Sequence, residues 1–334
     1  MEPVSNTSSL VRTQLSPASS SPKTSRATRV SRALAAALCA GAVGFSVTAC
    51  GADGPLASLT SEPEANDTLM NLDAQYQHVL QDQKLDASTR GLLEDQLKTV
   101  REEWVRLCGK DDEGSSPESC VDEAKVDSVS VPGNFSLSSL QESLVDAVVQ
   151  VSPEKTGKSE GSALEGGNRE VNSAVLLDLA AELSPFVEGS DEHDLQKLQL
   201  TTYSEELETV RQAAHAGWFA VGVGLAKDDG THAKTVKSVR ETLRVLQMDL
   251  TDQADRLSQE PAAELPAGYI ASDTAEPPRN SAEVLPYVAK ILPTVTQPLR
   301  EAVLNERAVE DRKYAAQWYL HLSRLQHQVE AEQQ

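Results

Sequence analysis

Val236, Val239, Leu243, Leu246 and Leu250 recur at steps of three and four, and Gln253 and Leu257 continue the register. A spacing of this kind, sustained over three heptads, places every apolar side chain on one seam of a helix and leaves the rest to solvent. The same pattern returns in Leu93, Leu97, Val100, Trp104 and Leu107, in Leu140, Leu144, Val148 and Val151, and in Ala315, Trp318, Leu322, Leu325 and Val329. No run alternates polar and apolar residues with the composition of a strand. Helices with one apolar stripe must bury it against one another, so the expected fold class is all-α.

Punctuation between the stripes divides the chain. Asn66 and Asp67 offer a helix start for a segment reaching about Gln83, and Gly109 offers a stop after Leu107. Ser139 and Glu142 match a capping box. Residues 153–170, with four glycines, read as a linker, followed by a short helix from Val171 to Leu183 before Pro185. Tyr203 to Lys227 reads as a helix whose Ala216, Ala220 and Gly224 leave room for a close neighbour. Its apolar stretch, 213–226, is shorter than the roughly 20 residues a membrane span needs. Four prolines in 260–280 mark a long exposed loop, and Pro286, Pro293 and Pro298 predict a kink or break before a last helix from Glu306 to Val329. The expected organisation is a helical region over 67–186 and a bundle over 200–330.

The N-terminal stretch has another logic. Lys23, Arg26, Arg29 and Arg32 precede an apolar segment from Ala33 to Val47, which ends in Val47-Thr48-Ala49-Cys50. Fifteen apolar residues are too few to span a bilayer, but they suit an export signal. The stretch resembles bacterial lipoprotein signal peptides. The resemblance implies that residues 1–49 are a signal peptide, that the Cys50 sulfur takes an acyl-bearing (palmitate-type) anchor, and that 50–66 is a tether. The chain would then sit on the extracytoplasmic face of the cell membrane, held through Cys50.

Charge and cysteine usage fit that location. Residues 1–49 hold five of the 30 basic and one of the 51 acidic residues, so the remainder is near −25. Such a field repels phosphate backbones, which disfavours a nucleic acid partner. Of four cysteines, Cys39 falls in the leader and Cys50 at the anchor, leaving Cys108 and Cys120. Outside the cell a disulfide can persist, and one between these two is expected. A redox or metal pair is the alternative, although the CxxC spacing and neighbouring histidines are lacking.

The segments AAHAGWFAVGVGLA at 213–226, HAKTVKSVRETLRVL after it, LPAGY ending at Tyr269, and DRKYAAQWYLHL near the end together resemble an actinobacterial ferritin-like domain of unknown function, over roughly 200–330. The resemblance implies a C-terminal ferritin-like four-helix bundle and no established activity. Ferritin-like di-metal sites use Glu-x-x-His, which sets carboxylate and imidazole side by side. None of the six histidines has Glu three residues before it, and Asp229-x-x-His232 carries Gly230 in between. No metal ligands or cofactor are therefore expected. His215, beside Trp218 and Phe219 in the apolar helix, is the weak candidate for a polar site, read either as a ligand or proton carrier or as a satisfied core residue. Trp318 and Tyr319 either line a pocket or pack in the core.

No HExxH, GxxxxGK[ST] or GxGxxG occurs, and Asp111-Asp112-Glu113-Gly114 lacks the spacing of an EF-hand. No catalytic residue is assigned, and the sequence leans away from an enzyme. It points to a lipid-anchored helical module of the cell envelope that binds an envelope protein partner. The alternative is a ferritin-like metal- or cofactor-binding protein with non-standard ligands. A solute-binding lipoprotein would need alternating strands and helices that the pattern lacks.

Overall fold

A computed structural model describes residues 66–109, 126–151, 171–187, 195, 197–258, 262–266 and 275–334. The proposed leader, Cys50, nearly all of the tether, the acidic 111–114 loop, Cys120, the 153–170 linker and His193 lie outside the described residues. Those that are described form an all-α structure with no strand among them. The helices are α1 (Asp67–Leu80), α2 (Ala87–Cys108), α3 (Leu137–Gln150), α4 (Ser173–Glu182), α5 (Glu205–Leu225), α6 (Ala233–Leu257), α7 (Val284–Ile291), α8 (Pro293–Asn305) and α9 (Val309–Ala331).

Short polar side chains start most of them, because the first N–H groups of a helix have no partner within it. Asn66 accepts from the Leu69 amide, Asp86 from Ser88 and Thr89, Asn172 from Ala174 and Ser204 from Leu207. At α3 the cap is Ser136, which accepts from the Ser139 amide, so Ser139 sits inside the first turn rather than capping it. Gly109 does end α2, but with φ 76° and ψ −169°, an extended positive-φ geometry open essentially to glycine alone, not the left-handed helical one. The proline-rich segment breaks at Leu292: Pro293 opens α8, where its missing N–H costs nothing, and Pro298 is accommodated inside that helix. Glu306 follows α8 as its C-terminal cap instead of opening the last helix.

The stripes are buried along most of their length, with Leu107, Val151 and Leu257 at their ends half-buried. Leu93, Val100, Leu140, Leu144, Val148, Val236, Val239, Leu243, Leu246, Leu250, Trp318 and Leu322 are all fully or almost fully inaccessible. α5 packs along α6 and against α7 and α8, while α9 closes on α8, α7 and α6. The tight face of α5 is not that of Ala216 and Ala220, which are half-buried. It runs through Ala214, Gly217, Val221 and Gly224: a Cβ at 217 would stand 3.1 Å from Val295 Cγ2 and 3.2 Å from Leu243 Cδ1. α3 and α4 pack on each other and on α9 and α8, so segments 67–187 and 200–334 share one apolar core.

Three arginines from the later helices cross to the earlier ones. Arg300 holds the Asp178 carboxylate through two 2.8 Å bonds, and Arg324 donates to the Ser184 carbonyl at 3.0 Å. Arg324 is thus no free surface residue. Arg312, 2% exposed, donates to the carbonyls of Val148 (2.6 Å), Val149 (3.2 Å) and Val151 at the end of α3, and to Val303 (2.7 Å). Carbonyls at a helix C-terminus lack partners and carry the negative end of the dipole, which suits a guanidinium.

Candidate functional site on the α5–α6 face

One face of α5 collects chemistry-bearing side chains because Arg211, His215, Trp218 and Gly222 are spaced four, three and four residues apart and so share a stripe. Arg211, 1% exposed, chelates Glu208 at 2.7 and 2.8 Å and donates to the Ala263 carbonyl at 2.8 Å. The bonds to Glu208 push the guanidinium above its ordinary range. Burial works to raise Glu208, but the bonds from Arg211 and Gln212 outweigh it and hold this carboxyl below its usual range. Tyr203 donates to the same carboxylate at 3.1 Å.

His215 lies one turn on, its Nε2 3.1 Å from the Pro266 carbonyl. Segment 262–266 therefore covers the first half of the stripe. The imidazole contacts Trp218 (centroids 5.7 Å apart) and meets Phe219 edge-on at 5.1 Å, and the indole meets Phe219 at 4.8 Å. Beyond them, Arg240 of α6 lies over the indole, its Cζ 4.9 Å from the ring centroid. Glycine at 222 permits this: a Cβ there would stand 3.1 Å from Arg240 Nε. His215, Trp218, Phe219 and Arg240 are all half-buried, which makes the face reachable from solvent.

A second polar constellation sits deeper, where the starts of α5 and α9 meet the ends of α6 and α8. Asp311, fully buried, accepts from the amides and hydroxyls of Thr201 and Thr202 at 2.6 to 3.1 Å. Glu306, 4% exposed, accepts from the Ser204 hydroxyl. Burial pushes its carboxyl up, against the pull of that bond, and the nearby charges of Glu206 and Asp311 add to the rise. Tyr314 donates to Asp249 at 2.6 Å. Burial raises both groups of that pair. These carboxylates are occupied by donors from within the fold, which is the pattern of structural anchoring.

The remaining histidines do not gather with these groups. His78 meets Phe135 edge-on, His232 precedes α6, His321 contacts Trp318, and His327 lies 3.8 Å from Glu330. Among the described residues no three His, Cys, Asp or Glu side chains come together as a cation site. Trp318 and Tyr319 pack in the core. Cys108 stands at the end of α2, half-buried.

Sequence reasoning singled out His215 but not Arg240, Arg211, Asp311 or Arg312. A signal existed for Asp311, which sits in register with Ala315, Trp318 and Leu322, so that a charge occupies a stripe position. Arg240 gave none, since it falls outside the α6 seam. No family model, curated protein or solved structure matches the chain.

Proposed function

We propose that this chain is a lipid-anchored, extracytoplasmic helical module that binds a partner in the bacterial cell envelope and performs no catalysis of its own. The observation that carries the reading is Cys50, set directly after Val47-Thr48-Ala49 at the end of a 15-residue apolar run with a basic flank. No helix among the described residues is long and apolar enough to cross a membrane, so membrane residence would rest on the acyl chains at Cys50. A lone acyl chain holds a protein only marginally at a bilayer, whereas two or more do so stably. A tether from Cys50 to Asn66 reaches about 50 Å if extended, enough to hold the bundle clear of the headgroups.

Within this reading α5, α6, the α7–α8 pair and α9 form a ferritin-like four-helix scaffold. Its support is the packing in which α5 and α9 each touch α6 and the α7–α8 pair. The buried acids are engaged by Thr, Ser and Tyr donors, which favours a binding scaffold over a metal or cofactor protein. A disulfide between Cys108 and Cys120 would close a short loop at the end of α2.

The test is fractionation of cells expressing the natural chain or Cys50→Ala. The reading expects the natural chain with membranes and the variant released or retained as unprocessed precursor. Equal membrane partition of both, at the same mature length, overturns it.

A further inference from the structure

Arg240 is the one half-buried arginine among the described residues with no oxygen acceptor. Arg90, Arg211, Arg244, Arg300, Arg312 and Arg324 each donate to a carboxylate or a carbonyl. Arg240 instead spreads over the Trp218 ring, and its Nε, buried against Gly222, has no hydrogen-bond partner. The Trp218 indole nitrogen beside it is also buried without one. Two neighbouring donors lacking acceptors are costly in any fold, and native structures keep such groups rare. In a chain with 51 acidic residues against 30 basic, a guanidinium left without a carboxylate stands out further.

We infer that Arg240 and Trp218 form a binding site for a phosphate group, with Arg240 as the ionic contact and the Trp218–Phe219–His215 rings as the floor for the group that carries it. A guanidinium offers a planar fork of donors that matches two phosphate oxygens at once, and stacking on an indole holds the fork in place before the ligand arrives. Gly222 lies against one edge of the side chain, a Cβ there standing 3.1 Å from Nε and 3.8 Å from Nη2, while the residue as a whole stays half-buried and open to solvent. The strongly acidic remainder of the molecule opposes anions in general. Affinity therefore depends on contact with the rings as well as charge, and a phosphate attached to an organic group is favoured over the free ion. Two sources share this chemistry: a free phosphate or small phosphoester, and the headgroup of a phospholipid at the bilayer to which the proposed anchor would hold the chain. The site itself does not depend on the anchor; only the headgroup source does.

The experiment follows the side-chain N–H signals of Arg240 and Trp218 by nuclear magnetic resonance in the full chain at constant ionic strength. One arm adds inorganic phosphate, and the other adds monomeric dihexanoyl-phosphatidylglycerol. Saturable shifts at both signals are expected in at least one arm. Arg240→Gln should weaken the response about tenfold or more while the remaining spectrum is unchanged, and Arg240→Lys should weaken it less. Saturation by phosphate alone assigns the free ion, and saturation by the lipid, with or without phosphate, assigns the headgroup. No shift in either arm, an equal response to acetate, or an undiminished response in Arg240→Gln overturns the inference.

Discussion

Arg312 Nη2 donates to the Val148 carbonyl at 2.6 Å, so a side chain at the start of α9 closes the C-terminus of α3, 164 residues earlier in the chain. Burial pulls this guanidinium below its ordinary range, yet arginine stays a cation in proteins and here faces a row of carbonyl dipoles. Arg312→Met keeps the bulk and removes the donors, leaving buried carbonyls unsatisfied. It should destabilise by about 3 kcal/mol, with Arg312→Lys in between. Denaturant melts of the two variants beside the natural chain check the order.

Glu306 supplies a pH dependence with a definite sign. Its folded carboxyl titrates above the ordinary value because it is buried, so the fold favours the neutral form. Its contribution is fully present below the ordinary glutamate range and is lost as pH rises through the raised value. Glu306→Gln fixes the neutral state and keeps an oxygen for Ser204. The stability of Glu306→Gln relative to the natural chain should therefore rise between about pH 4 and pH 7. A difference that is flat with pH would show that Glu306 titrates alike in both states.

Gly217 is where α5 lets α6, α7 and α8 come close. Alanine there gains helix propensity of about 1 kcal/mol but must displace Val295 Cγ2, 3.1 Å from the new Cβ. The two effects nearly cancel. Gly217→Leu has no such room and should cost about 1 to 3 kcal/mol from overpacking. Thermal melts of both variants measure the contrast.

Leu246 and Leu322 are fully inaccessible, so truncation to alanine removes transfer energy and leaves a cavity, at about 2 to 5 kcal/mol each. Arg244, paired with Glu241 on the surface of α6, should tolerate alanine within about 0.5 kcal/mol. Chemical denaturation of the three variants separates seam from surface.

The seams were legible because apolar spacing reports burial directly: all of Leu140, Leu144, Val148, Leu243, Leu246 and Leu322 lie inside. The start of α1 was legible because Asn66 and Asp67 stand together just before the first turn, and Asn66 is the cap. At α3 two serines three residues apart compete, and the earlier, Ser136, is the one that accepts from the Ser139 amide. The close face of α5 was misplaced by one residue, from Ala216 to Gly217, because an Ala- and Gly-rich helix offers small residues on every side. The α5–α6 face was half legible. His215, Trp218 and Phe219 announce themselves in one segment, whereas Arg240 joins them only through the antiparallel return of α6. Likewise, nothing local to Arg312 indicates that its acceptors lie on α3.

The anchor at Cys50 is the centre of the functional reading, and the mass of the N-terminal peptide of the membrane-associated protein tests it most directly. The account predicts a mature chain beginning at Cys50, its sulfur bearing a diacylglyceryl group, and no peptide from residues 1–49. A membrane-associated chain that retains those residues, or that begins elsewhere with an unmodified Cys50, contradicts it.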